Sequence, residues 1–113
     1  MTERAKKYLY DIEMAAERIE RYTQPTGSLA AYESADNEMA RAAVERQLAI
    51  IGEAVNHYRR EPGSVILTDT VQIIKLRNVL IHSYDVVHNP TIWAVIQENL
   101  PSLRAEVAAL LAT

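Results

Sequence analysis

From Glu3 to Arg21 the apolar residues Ala5, Tyr8, Leu9, Ile12, Ala15, Ala16 and Ile19 return every three or four positions, with Glu, Lys and Arg between them. That spacing gathers one stripe on a helix and predicts an amphipathic first helix. Thr23-Gln24-Pro25-Thr26-Gly27-Ser28 breaks the pattern and reads as a loop. Leu29 to Glu33 has room for one short turn, and Ser34, Asp36 and Asn37 are candidate N-caps for a long helix reaching about Arg60. On that helix Val44, Leu48, Ile51, Val55 and Tyr58 form one stripe, and Ala43, Ile50 and Ala54 a second, so it should pack on two faces. Gly52 stands inside it at a propensity cost of about 1 kcal/mol relative to Ala, which predicts the close approach of another backbone or side chain.

Glu61-Pro62-Gly63-Ser64 ends the long helix. Thr68 and Asp69 are candidate caps for a helix that begins near Thr70 and carries Val71, Ile73, Ile74, Leu76, Leu80 and Ile81. Asn89-Pro90 opens a last helical segment with Ile92, Trp93, Val95 and Ile96. Pro101 interrupts it before Leu103, Val107, Leu110 and Leu111, which predicts either a kinked helix or two helices meeting near Asn99. The expected architecture is all-α, a four- or five-helix antiparallel bundle forming one domain over residues 1–113.

Composition agrees with this pattern. Only 3 Gly, 4 Pro and no Phe, beside abundant Ala, Leu, Ile, Glu and Arg, favours helices over hairpins. The absence of Cys removes disulfides, thiolate metal sites and cysteine nucleophiles. The charged first twenty residues do not read as a signal peptide, and no run of about 18 apolar residues reads as a membrane span, so a cytoplasmic location is expected. A net charge of −3 argues against strong nonspecific nucleic-acid binding, which draws on clustered Lys and Arg; any nucleic-acid contact must be local.

The third long helix carries the candidate chemistry. On a wheel Arg77 falls between Ile73 and Ile81, placing a charge on an apolar face, and Tyr84 returns to within about 20° of it. An unpaired buried guanidinium is costly, so this face should meet a carboxylate such as Glu53, a cleft, or a second subunit. His82, five residues after Arg77, lies about 140° away and shares a face with Asn78 instead. Either the helix ends or bends there, or the site is completed across a dimer interface.

Arg77-Asn78-Val79-Leu80-Ile81-His82-Ser83-Tyr84 resembles the Arg-x4-His-x-Tyr signature of the HepT-like proteins, a branch of the HEPN-domain superfamily also known as DUF86. Arg46-Gln47-Leu48-Ala49-Ile50-Ile51-Gly52-Glu53-Ala54 is similar to that family's second-helix block, and the order of helices agrees over the whole chain. The resemblance implies a homodimeric, metal-independent endoribonuclease toxin, neutralised by a partner antitoxin that is a minimal nucleotidyltransferase of the MntA type. It further implies that Arg77 and His82 are catalytic and that Tyr84 is the residue the partner modifies with adenylyl groups. Asn78, the polar neighbour of the arginine, is a candidate for orienting the RNA substrate or His82.

The residue types suit that chemistry. Metal-free RNA cleavage must move the 2′-hydroxyl proton, protonate the leaving 5′-oxygen and stabilise a charged phosphorane-like transition state. Imidazole, with an ordinary pKa of about 6.5, suits the proton transfers, and guanidinium suits the phosphoryl oxygens. Other constellations are weaker: Glu53 and His57 at i,i+4 and three scattered His predict no metal site, and no cofactor is expected. Arg59-Arg60 and Lys6-Lys7 read as helix surface, and Trp93 and Tyr58 as core or interface anchors. No Gly-rich phosphate loop is present, so the chain is not itself the nucleotidyltransferase. The competing reading is a non-catalytic helical module that docks a nucleotidyltransferase or a nucleotide.

Overall fold

Helix α1 (Glu3–Thr23) begins where Thr2 turns extended and its Oγ1 accepts a hydrogen bond from the Ala5 amide at 2.9 Å. The same hydroxyl donates to Glu61 Oε1, which ties the start of α1 to the segment just past the end of α3 (Glu38–Tyr58). These contacts and the burial data come from a computed structural model that describes residues 1–82 and 88–113. The remaining elements are α2 (Leu29–Glu33), a 3-10 turn (Ala35–Asn37), α4 (Val71–His82), α5 (Asn89–Ala94), a π-helical turn (Val95–Asn99) and α6 (Leu100–Leu111). The described residues are therefore helices and connections, the all-α bundle that the hydrophobic periodicity predicts.

The apolar stripe of α1 is buried as predicted, with Ala5, Leu9, Ile12, Ala15, Ala16 and Ile19 all closed to solvent. It packs chiefly on α3, which also carries α4 on its other side. On α3 the first stripe, Val44, Leu48, Ile51, Val55 and Tyr58, is buried; of the second, Ala54 is buried, whereas Ala43 and Ile50 are half-buried. Helix α6 closes on α1 through Leu103 and Val107. Tyr58 is a core anchor, and its hydroxyl accepts from the Val65 amide at 3.2 Å. Trp93 is half-buried and packs at a tilt on the Tyr32 ring, 5.4 Å between centroids.

The candidate caps serve other purposes than expected. Ser34 caps the 3-10 turn, and Asn37, which occupies the N-cap position of α3, makes no capping bond; its Nδ2 donates to the Ala31 carbonyl at 2.7 Å. Thr68 is drawn to α6, its amide and hydroxyl bonding the two carboxylate oxygens of Glu106 at 2.8 and 3.1 Å. Asp69 adopts a left-handed conformation, φ 56°. The first helical bond of α4 is accepted by the Thr70 carbonyl, from Ile74. At Thr68 the amide and hydroxyl are held by a charged acceptor, a stronger partner than a neutral one.

Near Asn99 two helices, α5 and α6, meet through the π turn, which is one of the two forms that the sequence predicts. The run from α5 to α6 is continuous and passes through the π turn, closed by a bond from the Leu100 amide to the Val95 carbonyl. Pro101 has no amide hydrogen, and its ring would press on the carbonyl one α-turn back. The widened turn takes up that crowding while keeping Leu100 and Leu103 in the core.

Candidate functional site

Gly52 and Arg77 meet at the contact of α3 and α4. A Cβ built on Gly52 would lie 2.5 Å from Arg77 Cβ and 2.7 Å from its Cγ, so the arginine stem rests against bare backbone. This is the close approach that a glycine in a helix interior predicts, and it assigns the neighbour. Because the crowding atoms are at the root of the side chain, no rotamer of Arg77 relieves it.

The guanidinium does not pair with Glu53. That carboxylate is exposed and faces His57, Oε1 to Nε2 at 3.5 Å, while the His57 ring stacks on Tyr8 at 5.2 Å and 18°. Glu53 lies next to Gly52 in sequence but a further 100° around α3, which turns it away from α4. One terminal nitrogen of Arg77 donates instead to Asn78 Oδ1 at 3.0 Å. Arg77 Nε is closed to solvent and has no hydrogen-bond partner among the described residues. No carboxylate among those residues lies within ion-pair distance of Arg77.

Helix α4 stays helical as far as His82. Arg77 and His82 therefore diverge around it, whereas Asn78 and His82 share a face one turn apart and are both exposed. The structure joins Arg77 to Asn78 and leaves His82 without a bond to either. Tyr84 lies outside the described residues. The apolar stripe around Arg77 also differs from the wheel: Ile73 and Leu76 are buried, but Ile81 is 42% exposed and Val79 38%. At the end of α4 bearing His82, Leu80 still packs on the core, and the face that carries Arg77 is only half-buried.

Three polar groups carry no signal in periodicity. Asn56 Oδ1, one turn beyond Gly52, is a buried acceptor with no partner among the described residues. Glu45, half-buried, has its carboxyl raised above the ordinary value by burial, partly offset by the Arg41 charge. Burial also pushes the Tyr32 phenol up to about 12, with Glu45 adding to the shift, and its hydroxyl is unpaired. A separate cavity of about 680 Å³, bordered by Ala16, Glu20, Trp93, Ile96, Leu100 and Arg104 among others, takes no lining residue from α4. Among the described residues no three His, Asp or Glu side chains are grouped to hold a metal ion, and no helix is long and apolar enough to cross a membrane.

Comparison with known proteins places the chain in a family. Residues 12–110 match the family described as ribonuclease HepT-like. A Methanocaldococcus jannaschii protein whose name describes it as a candidate RNase is 33% identical over 105 residues, covering 90% of this chain and 92% of its own. A Thermococcus cleftensis protein named as a probable ribonuclease HepT is 30% identical over 109 residues, covering 93% and 94%. No solved structure gives a significant match. With the family match spanning nearly the whole helical bundle, the chain belongs to the HepT-like ribonuclease family.

Proposed function

We propose that the chain is a metal-independent endoribonuclease toxin that works as a homodimer, with Arg77 and His82 as its catalytic residues. The observation that carries this reading is the state of Arg77: a guanidinium seated on bare backbone, facing no carboxylate among the described residues, with a buried donor left unpaired. A charge held that way is prepared for an anion. The RNA phosphoryl group supplies one, and its nonbridging oxygens gain negative charge in the transition state, where the guanidinium is most effective.

His82 moves protons. One imidazole takes the 2′-hydroxyl proton as that oxygen attacks phosphorus, and an imidazolium gives a proton to the departing 5′-oxygen, leaving a 2′,3′-cyclic phosphate and a free 5′-hydroxyl. One chain offers one exposed His82 on the face opposite to Arg77, so two copies are needed to bring two imidazoles and the arginines to one cleft. Asn78, bonded to Arg77 and on the His82 face, orients the substrate between them. A partner nucleotidyltransferase of the MntA type silences the toxin by placing adenylyl groups on Tyr84, two residues after His82; the added bulk and negative charge repel RNA.

Cleavage of total RNA by the purified protein tests the reading. Arg77→Ala and His82→Ala should each abolish cleavage with the helical content retained, and a chelator should have no effect. Equal cleavage by parent and His82→Ala would overturn it. Co-expression with the partner enzyme should add adenylyl-sized mass increments to the parent and none to Tyr84→Phe.

A further inference from the structure

Two buried polar atoms of opposite sense have no partner among the described residues, the Arg77 Nε donor on α4 and the Asn56 Oδ1 acceptor on α3. Native structures leave few such atoms, because each has given up water without gaining a partner. Gly52 brings the Arg77 stem onto α3, and Asn56, four residues on, falls on the same face of that helix. Gly52 is six residues before Tyr58, the end of α3, and Arg77 six residues after Val71, the start of α4, so the two helices run antiparallel away from their connection. The turn of α4 opposite Asn56 is therefore the one N-terminal to Arg77, the direction in which helical side chains lean. In the free protein the guanidinium is drawn instead to its exposed neighbour Asn78.

We propose that Asn56 is a positioning residue for Arg77: when phosphoryl oxygens take the terminal nitrogens away from Asn78, the Nε–H turns to Asn56 Oδ1. Both unpaired atoms are then satisfied together. The guanidinium is anchored at its root and presents its two terminal nitrogens as a fork to the phosphate, the geometry in which arginine binds oxyanions best. Asn56 touches no substrate atom; it acts through Arg77. This rests on the reading of Arg77 as the group that meets the phosphoryl oxygens.

The test compares the intact parent with Asn56→Leu, which keeps the size and removes the acceptor, and Asn56→Gln, which keeps a neutral amide acceptor on a longer stem. In Asn56→Leu kcat should fall roughly tenfold or more, since a small misplacement of a catalytic group has large effects. Its KM should change less than kcat, because the positioned guanidinium matters most where the phosphoryl oxygens gain charge. Asn56→Gln should restore part of the rate, and all three proteins should melt alike. The Arg77 Nε–H, assigned by nitrogen-15 NMR against Arg77→Lys, should become protected from solvent exchange when the parent is saturated with inorganic phosphate. Parental kcat in Asn56→Leu overturns the proposal, and so does an Nε–H that exchanges freely at saturating phosphate. The phosphate titration needs neither variant to fold nor the parent to cleave RNA. A parent without ribonuclease activity therefore defeats the proposed function, while the titration still decides the role of Asn56.

Discussion

Arg77 owes its position to what Gly52 lacks. Because the Arg77 Cβ is fixed to the α4 backbone, a methyl on residue 52 can be accommodated only by moving α4 off α3. Gly52→Ala should cost about 1–3 kcal/mol, the usual range for overpacking a filled contact, in spite of Ala being the better helix former. Urea unfolding measures it; a stability gain would show that the helices separate freely. Glu45 is the opposite case, a residue whose removal should help. Burial raises its carboxyl, so the folded state favours the protonated form, and stability falls as pH rises from below the ordinary glutamate value through the raised one. Glu45→Gln should therefore raise the urea midpoint at pH 7, with the gain vanishing toward pH 4. Tyr32 follows the same sign at the alkaline end: its phenol ionises at about 12 when folded rather than 10.0, so stability drops across that interval. Tyr32→Phe should flatten alkaline unfolding, because it removes both the titration and an unpaired buried hydroxyl.

Among the elements, α1 and α3 are the frame, and α4 carries the proposed catalytic residues. Thr2 performs two tasks for the frame, capping α1 and bonding Glu61 beyond the far end of α3. Thr2→Ala should cost about 1 kcal/mol through the lost cap alone and should speed amide exchange in the first turn of α1. The pattern of apolar residues was sufficient to place α1, α3 and the α5–α6 run, since each buries a wide stripe with regular period. It was insufficient for α4. There the apolar residues surround the helix, so periodicity could not say which of Ile73, Leu76, Val79 and Ile81 face inward; only the first two do. The π turn was equally out of reach, for Pro101 states that a regular helix must be disturbed near Asn99 and leaves the form of the disturbance to packing.

For the molecule as a whole, the described residues span 43 × 28 × 19 Å, with one buried cluster running through all the longer helices. The half-exposed Val79 and Ile81 flank the His82 end of α4, where a second copy would complete the proposed cleft. Light scattering should give a dimer of the 12.7 kDa chain, and Ile81→Arg should shift it to monomer and lower RNA cleavage in parallel. A parent that is monomeric at micromolar concentration would sink the two-histidine mechanism.

The sequence by itself determined the helical class and most helix limits, and it marked the segment to which the proposed chemistry is assigned, because each depends on spacing along one chain and on the types of residue present. It also marked Gly52 as a point of close approach, since a glycine inside a helix has a cost that packing must offset. Only the tertiary structure decided that the approaching group is Arg77, that Glu53 turns away to His57, and that Asn56 leaves an acceptor unpaired beside the arginine's helix. Those outcomes depend on which face of α3 meets which turn of α4. That relation is fixed by how two helices dock across a twelve-residue connection, and no periodicity within either helix encodes it.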